Sequence, residues 1–426
     1  MLKAGKALTV LTVAMIALAG CGGGGSSGGK VLKLWHYESP DSAMGIAWKQ
    51  AMDEFKKTHP GVKVEFEEKG FEQIQKTAPM VLKSTDAPDV MEYNKGNATM
   101  GLLSKQGLLT DLSPQVTKYG WDKLISPNVA VTAKYDTRGV MGSGKWYGIP
   151  NYGEFLTVYY NKDLFTKYGV DVPTTFAGFT KALDTFKKKG LTPLANAGAE
   201  YMAQQYLYQL ALSKANPAWV NAYQRYTGKA NLRDAAWTYG ASTFADWVKK
   251  GYIAKDSVGL KAEDAGVRFI SGKYPMMFSG TWWYGRLENE VKKFDWGIFR
   301  WPGSTLTIGS SGNEWVVPRG AKNPQLAYDF INITMNKRVQ NALGNNGGVP
   351  VAADPSAITG PKNKDLLNQY TALANGDALA YYPDWPVPGF YDKLVAETQK
   401  LMNGSATPDA ALGDLQKAYD AGLPVK

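Results

Sequence analysis

An α/β fold divided between two domains is the expectation for this 426-residue chain. Strand-like and helix-like patterns alternate from Val31 onward, which argues for parallel α/β units. With the first 20 residues set aside, the length is still about twice that of a typical domain. Nothing after them approaches the roughly 20 apolar residues of a membrane-spanning helix.

The elements follow in order. Val31-Leu32-Lys33-Leu34-Trp35 reads as a strand, and His36 to Ser42 as the loop after it. Met44, Ala47, Trp48, Ala51 and Phe55 recur at helical spacing until His59-Pro60-Gly61 stops them. Val62 to Phe66 alternates as a strand, and Asp89-Val90-Met91 predicts another after Ala87-Pro88. Phe176, Phe179, Leu183 and Phe186 mark a helix that ends at Gly190. Another starts at Pro324 with Asn323 as its cap, presenting Leu326, Ala327, Phe330 and Ile331 on one face. A last helix starts at Thr407-Pro408.

Composition narrows the function classes. The net charge is +10, but the basic residues are scattered apart from runs such as Lys187-Lys188-Lys189. Without an arginine-rich stripe, nucleic acid is not an expected partner. The charge suits solubility and attraction to an acidic cell wall. Aromatics make up 12% of the chain, with 13 Trp, well beyond what a few anchors need. Such rings offer a flat apolar face and a polar edge, the surface a pyranose requires, although much of this content must be core.

The N-terminus carries an address. Lys3 and Lys6 precede an apolar run from Ala7 to Ala19, and Leu18-Ala19-Gly20-Cys21 closes it. That is a positive region, a short apolar region and a small-residue cleavage site. Cys21, the sole cysteine, after Leu-Ala-Gly resembles a bacterial lipobox. The resemblance implies cleavage before Cys21 and diacylglycerol on its thiol. An ordinary secretory leader with an unrelated cysteine is the alternative. Gly22 to Gly29 are only Gly and Ser, a flexible tether. Residues 1–20 are thus expected as signal and 21–30 as tether, with the body lipid-anchored on the extracellular face of the cell membrane.

Three later segments carry a family resemblance. The first is Trp146-Tyr147-Gly148-Ile149-Pro150 with Phe155 to Phe165. The second is Phe269 to Trp282, containing Ser271-Gly272-Lys273-Tyr274-Pro275-Met276. The third is Trp315-Val316-Val317-Pro318 followed by Lys322 to Ile331. In this order they resemble the extracellular solute-binding proteins of sugar ABC importers, the group that contains maltose-binding protein. The resemblance implies a two-lobed α/β fold of the periplasmic-binding-protein type, with hinge-connected lobes and a central cleft. It places residues 31–152 and 299–335 in an N-terminal lobe, and 153–298 and 336–426 in a C-terminal lobe. It implies a monomer without cofactor that captures a neutral oligosaccharide, xylobiose being the preferred type, and passes it to membrane permease subunits.

The candidate site residues come from that frame and from chemistry. A sugar site needs aromatic faces for the rings and carboxylates or amides for hydroxyls. Trp282 matches the family's stacking position and Trp283 follows it; either could instead be core. Ligands of α/β lobes sit beyond strand carboxyl ends, which brings His36, Tyr37, Glu38 and Asp41 to the cleft. Asp41 matches a polar contact position, or else it belongs to a helix N-terminus. Tyr93 and Asn94 follow a strand and match an aromatic contact region, with Asn97 beyond them. Tyr201 precedes the aromatic-rich Tyr206-Leu207-Tyr208. Asp384 and Trp385 stand in Tyr381-Tyr382-Pro383-Asp384-Trp385-Pro386, a rigid aromatic run that either faces the cleft or packs the final helices. Tyr391 lies near a further stacking Trp of maltose-type members, a departure that argues against a long maltodextrin site. Glu154 at the hinge and Glu314 before the return strand either touch ligand or cap local structure.

Rival classes rank lower. A glycoside hydrolase needs two carboxylates roughly 5–10 Å apart; Glu38 and Asp384 could form a chance pair, but no segment resembles a hydrolase motif. Gly142-Ser143-Gly144 lacks the spacing of a nucleophile elbow. Two histidines, His36 and His59, with an acylated cysteine leave few transition-metal ligands. No phosphate loop appears, so ATP use belongs to another subunit. A polyamine binder would want a cleft dominated by acids, whereas this one reads as aromatic and mixed polar.

Overall fold

The computed structural model describes residues 30–424. Cys21 and the tether therefore lie outside the described residues.

The first lobe is built as the sequence predicts. Strand β1 (Val31–His36), helix α1 (Ala43–Thr58), strand β2 (Lys63–Glu68), helix α2 (Phe71–Val81) and strand β3 (Val90–Tyr93) follow one another. β1 pairs in parallel with β2 on one side and β3 on the other. Leu32 and Leu34 point inward from β1, and α1 covers them with Ala47, Trp48, Ala51 and Phe55. Ser42 caps α1 by accepting from the Gly45 N–H at 2.9 Å. Two antiparallel strands, Glu314–Val316 and Ile149–Pro150, complete this sheet. Asn323 does not cap the helix Pro324–Thr334 with its side chain; its amide donates to the Val31 carbonyl instead, tying helix to sheet.

The second lobe departs from a parallel sheet. Its long strand Tyr152–Asn161 runs antiparallel to both Met276–Gly280 and Trp296–Phe299, and only Leu194–Ala195 joins in parallel. The helix Phe176–Lys188 buries Phe179, Leu183 and Phe186. Tyr208, Trp219, Tyr223 and Trp237 form an aromatic nest with ring centroids 5.2–6.1 Å apart. The helices Phe390–Asn403 and Pro408–Gly422 close the lobe, the latter capped by Thr407.

The lobes join at one seam. The chain leaves the first sheet at Pro150 and enters Tyr152–Asn161. It returns through Gly309–Ser311, which pairs with Gly153 to Phe155, before Glu314. Val349–Pro350 also pairs with Tyr152 and Gly153. Two expected boundaries move as a result. Phe299 pairs with Val158, and Trp301 packs on Phe278 and Trp247, so the return to the first lobe comes near 312 rather than 299. The helix Lys337–Asn345 packs on α1, with Asn336 and Arg338 both reaching Glu54, so the departure at 336 is too early.

Candidate ligand-binding site

A cavity of about 630 Å³ lies between the lobes. The first lobe contributes the segments after its parallel strands: Tyr37 and Glu38 after β1, Phe71 and Glu72 after β2, Asn94 and Lys95 after β3. That is the carboxyl-end position of α/β lobes. The second lobe contributes Tyr201, Trp282, Trp283, Tyr382, Trp385 and Tyr391, together with charged side chains such as Glu200, Glu263, Arg286 and Asp384.

Trp282 is delivered by the strand Met276–Gly280 and a tight turn, Thr281–Trp283. Gly280 serves here by its size. Its φ is an ordinary −78°, but a Cβ would stand 1.9 Å from the Trp282 ring, which lies across it. The glycine thus permits a close approach of ring to backbone. Trp282 stays half-buried, edge-on to Tyr201 at 5.7 Å and tilted toward Tyr382 at 6.3 Å. Trp283 also lines the cavity, but its ring packs over Gly266, where a Cβ would stand 2.0 Å away, and Arg286 lies 5.1 Å from its centroid.

The run Tyr381–Pro386 spans the seam. Tyr381 has φ +57°, rare outside glycine and costing roughly 1–3 kcal/mol, a strain found at functional sites. Its ring stacks on Trp385 at 5.7 Å. Trp385 in turn covers Gly96 of the first lobe, and its carbonyl accepts from the Ala98 N–H at 2.8 Å. Asp384 between them is half-buried and lines the cavity.

The floor is charged. Lys95 Nζ meets Glu154 Oε1 at 2.5 Å, both almost fully buried, and reaches Asn313 Oδ1 at 3.4 Å. The same ammonium stands 5.3 Å from the ring centroids of Tyr382 and Trp385. Glu38 accepts from the Tyr152 hydroxyl at 3.3 Å. Burial, and then the Glu154 charge, push its pKa up to about 7. Burial raises Asp384 to about 6. Burial and then Glu38 hold Glu92, behind the floor, well above the ordinary carboxylate range. Four polar atoms at the cavity have no partner among the described residues: Tyr37 Oη, Gln205 Oε1, Trp283 Nε1 and Tyr382 Oη. Each such orphan costs about 1–3 kcal/mol until a donor or acceptor arrives.

The mouth is bridged. Tyr391 Oη donates to Glu72 Oε1 at 2.9 Å across the cleft. Arg286 of the second lobe stands 3.7 Å from Asp41 of the first, and Asn289 donates to the Asp41 carbonyl at 3.3 Å. The lobes are thus drawn together over the cavity.

Of the residues singled out in the sequence, Tyr37, Glu38, Asn94, Tyr201, Trp282, Trp283, Asp384 and Trp385 line the cavity, as do Glu154 and Tyr391. Others do not. Asp41 sits on the rim, hydrogen-bonded to Ser39 and drawn to Arg286. Tyr93 is 2% exposed, its ring in the core under the first sheet. Glu314 is fully buried; its Oε1 accepts from Thr132 at 2.7 Å and Ser311 at 3.0 Å, and burial raises its pKa to about 7. His36 stacks on Phe66 at 4.1 Å, and Asn97 stitches Met141 N–H to the Gln224 carbonyl. Sequence reasoning passed over Glu72, Lys95, Gln205 and Tyr382. The strand-end rule applied to β2 and β3 reaches Glu72 and Lys95, and Tyr382 adjoins Asp384. Gln205, inside a fully buried helix, gives no signal.

Hinged lobes closing on a cavity of this size define a binding protein that encloses a small solute. The chain belongs to the bacterial extracellular solute-binding proteins, whose family matches residues 41–341. It is 24% identical over 378 residues to the multiple sugar-binding protein of Streptococcus mutans, covering 84% of each chain. It is 24% identical over 421 residues to the diacetylchitobiose-binding protein of Streptomyces coelicolor, covering 93% of each. A solved structure from work on xylan utilization by Caldanaerobius polysaccharolyticus superposes with a TM-score of 0.78 at 23% identity, covering 91% of this chain and 99% of that one.

Proposed function

We propose that this protein captures a short oligosaccharide between its lobes and presents it to the permease of an ABC importer. The observation that carries the reading is the company Trp282 keeps: a half-buried indole flanked by Tyr201 and Tyr382, in a cavity whose carboxylates and unpartnered polar atoms suit sugar hydroxyls. The volume fits two to four sugar rings, within the roughly 300–1,000 Å³ of ligand sites. Ligand that touches both lobes favours the closed arrangement, and closure is the signal to the importer. Relatives named as sugar-binding support this class, and the structural likeness from xylan utilization suits the plant-wall preference read in the sequence. A lipid on Cys21 would hold the protein at the outer membrane face; Cys21→Ser then releases it from membranes with ligand affinity unchanged.

Titration of the purified protein with β-1,4-linked di- and trisaccharides tests the reading. Tryptophan emission should shift on binding, with no cleavage on prolonged incubation. Product sugars that vanish when Glu38 or Asp384 is replaced would identify a hydrolase instead.

A further inference from the structure

The cavity floor carries a directed chain of hydrogen bonds. Lys95 Nζ donates to Asn313 Oδ1 at 3.4 Å, Asn313 Nδ2 donates to Tyr152 Oη at 3.1 Å, and Tyr152 Oη donates to Glu38 Oε1 at 3.3 Å. All four side chains line the cavity, and none is more than 9% exposed. The ends of the chain, Glu38 and Lys95, follow β1 and β3 of the first lobe. Its middle stands on the two crossings between the lobes. Tyr152 opens the outgoing strand Tyr152–Asn161, and Asn313 lies between Ser311 and Glu314 on the return.

The direction of each bond is forced. An ammonium only donates, so the Asn313 amide turns its oxygen to Lys95 and its nitrogen to Tyr152. The tyrosine hydroxyl then accepts from one side and spends its own proton on Glu38. Glu38 is thereby held as an acceptor, at the end of a chain polarised from the ammonium onward. The tyrosine is also fixed in place. A Cβ on Gly312 would stand 2.0 Å from its ring, so the return crossing lies against that ring, and the Gly312 N–H donates to the Tyr152 carbonyl at 2.7 Å. Trp48 lies beside the same ring, with centroids 6.3 Å apart.

We propose that Tyr152 and Asn313 are positioning residues: they hold Glu38 as an ionised acceptor for a sugar hydroxyl, so that the first lobe's grip on the solute is set from the two crossings. The proposal rests on the oligosaccharide reading above. Tyr152 acts through Glu38, since the one proton it owns is already spent. Titration of Glu38 exposes the relay. The groups that face it are Glu92 on β3, Lys95 after β3, Glu154 and Tyr152 on the outgoing strand, and His36 and Tyr37 on its own segment. Burial lowers the His36 pKa to about 4, so that ring stays neutral. Burial and then Glu154 bring Glu38 to about 7, and the Tyr152 hydrogen bond pulls against them. Affinity should therefore be highest on the alkaline side and fall as pH drops through about 7.

Calorimetry of the full-length protein between about pH 5.5 and 8.5 tests it, with xylobiose, or with cellobiose if that binds more tightly. Tyr152→Phe should weaken binding about three- to tenfold near neutral pH and move the midpoint of the profile up by about half a unit or more. Asn313→Ala should act in the same direction, and it carries the comparison should Tyr152→Phe fail to fold. In Glu38→Ala the step near pH 7 should vanish, and adding Tyr152→Phe should then cost less than about twofold. An equal loss with and without Glu38 would make the tyrosine an independent contact and overturn the relay. An unmoved midpoint in Tyr152→Phe, or a step that survives Glu38→Ala, also overturns it. A disaccharide bound by the unaltered protein with a flat profile overturns the relay and leaves the oligosaccharide reading intact. Binding of neither disaccharide overturns both.

Discussion

The two lobes furnish the cleft with different chemistry. All three cavity tryptophans, Trp282, Trp283 and Trp385, come from the second lobe, as do Tyr201, Tyr382 and Tyr391. The first lobe gives Tyr37 and Phe71, but otherwise short or charged side chains such as Glu38, Ser39, Asn94 and Lys95. The cause lies in how each lobe presents its residues. First-lobe contributors stand just beyond the carboxyl ends of the parallel strands. Second-lobe rings are backed by other rings, Trp385 by Tyr381 and Trp282 by Tyr201, in a lobe whose core is already aromatic. A flat platform holds its orientation only with rigid backing, so the platform falls to one lobe, while both lobes supply charged groups.

The largest expected effect breaks the floor on which both lobes meet. Lys95→Met leaves Glu154 buried without its partner, and the denaturation midpoint should report a loss of about 3–5 kcal/mol. Adding Glu154→Gln should recover much of it. A loss under about 1 kcal/mol, typical of exposed pairs, would show that the seam is open to water.

Next comes the pH dependence of the fold. Burial raises the Glu314 pKa from an ordinary 4.5 to about 7. A raised carboxylate pKa means the folded state holds the proton more tightly than the unfolded one. Its contribution is therefore complete below about pH 4.5 and is lost as pH rises through about 7. Glu314→Gln should flatten that part of the profile by roughly 2–4 kcal/mol between pH 4.5 and 8. An unchanged profile would place the carboxylate in solvent.

Trp282→Ala separates platform from core. Ligand affinity should fall by about 2 kcal/mol or more, with a smaller change in the midpoint. Trp283→Ala should show the reverse weighting, because its ring packs over Gly266. If the two variants behave alike, the distinction between the half-buried and the buried indole fails.

Much of this was legible beforehand. The alternation from Val31 to Met91 placed β1, α1, β2 and β3, because they follow one another along the chain and β1 and α1 show their burial period. The second lobe resisted: its central strand Tyr152–Asn161 is buried along nearly its whole length, so no alternation marks its face or its antiparallel partners. Trp282 came from a matched segment, Asp384 and Trp385 from the aromatic run Tyr381–Pro386, and all three reach the cavity. Tyr93 shows the limit of that method, since the strand end turns Asn94 and Lys95 to the cleft and the tyrosine into the core.

The smallest expected effect concerns that closure. Tyr391→Phe removes one cross-cleft hydrogen bond to Glu72 and should weaken ligand binding by about 0.5–1.5 kcal/mol, chiefly through faster release. A gain in affinity would mean the bridge competes with ligand for Glu72.

A crystal structure of the protein with a bound β-1,4-linked disaccharide tests the account most directly. The account predicts a sugar ring on the open face of Trp282, hydroxyls within hydrogen-bond distance of cavity carboxylates such as Glu38 or Asp384, and both lobes in contact with the ligand. A disaccharide lying outside the cleft, or held by one lobe with Trp282 untouched, would contradict it.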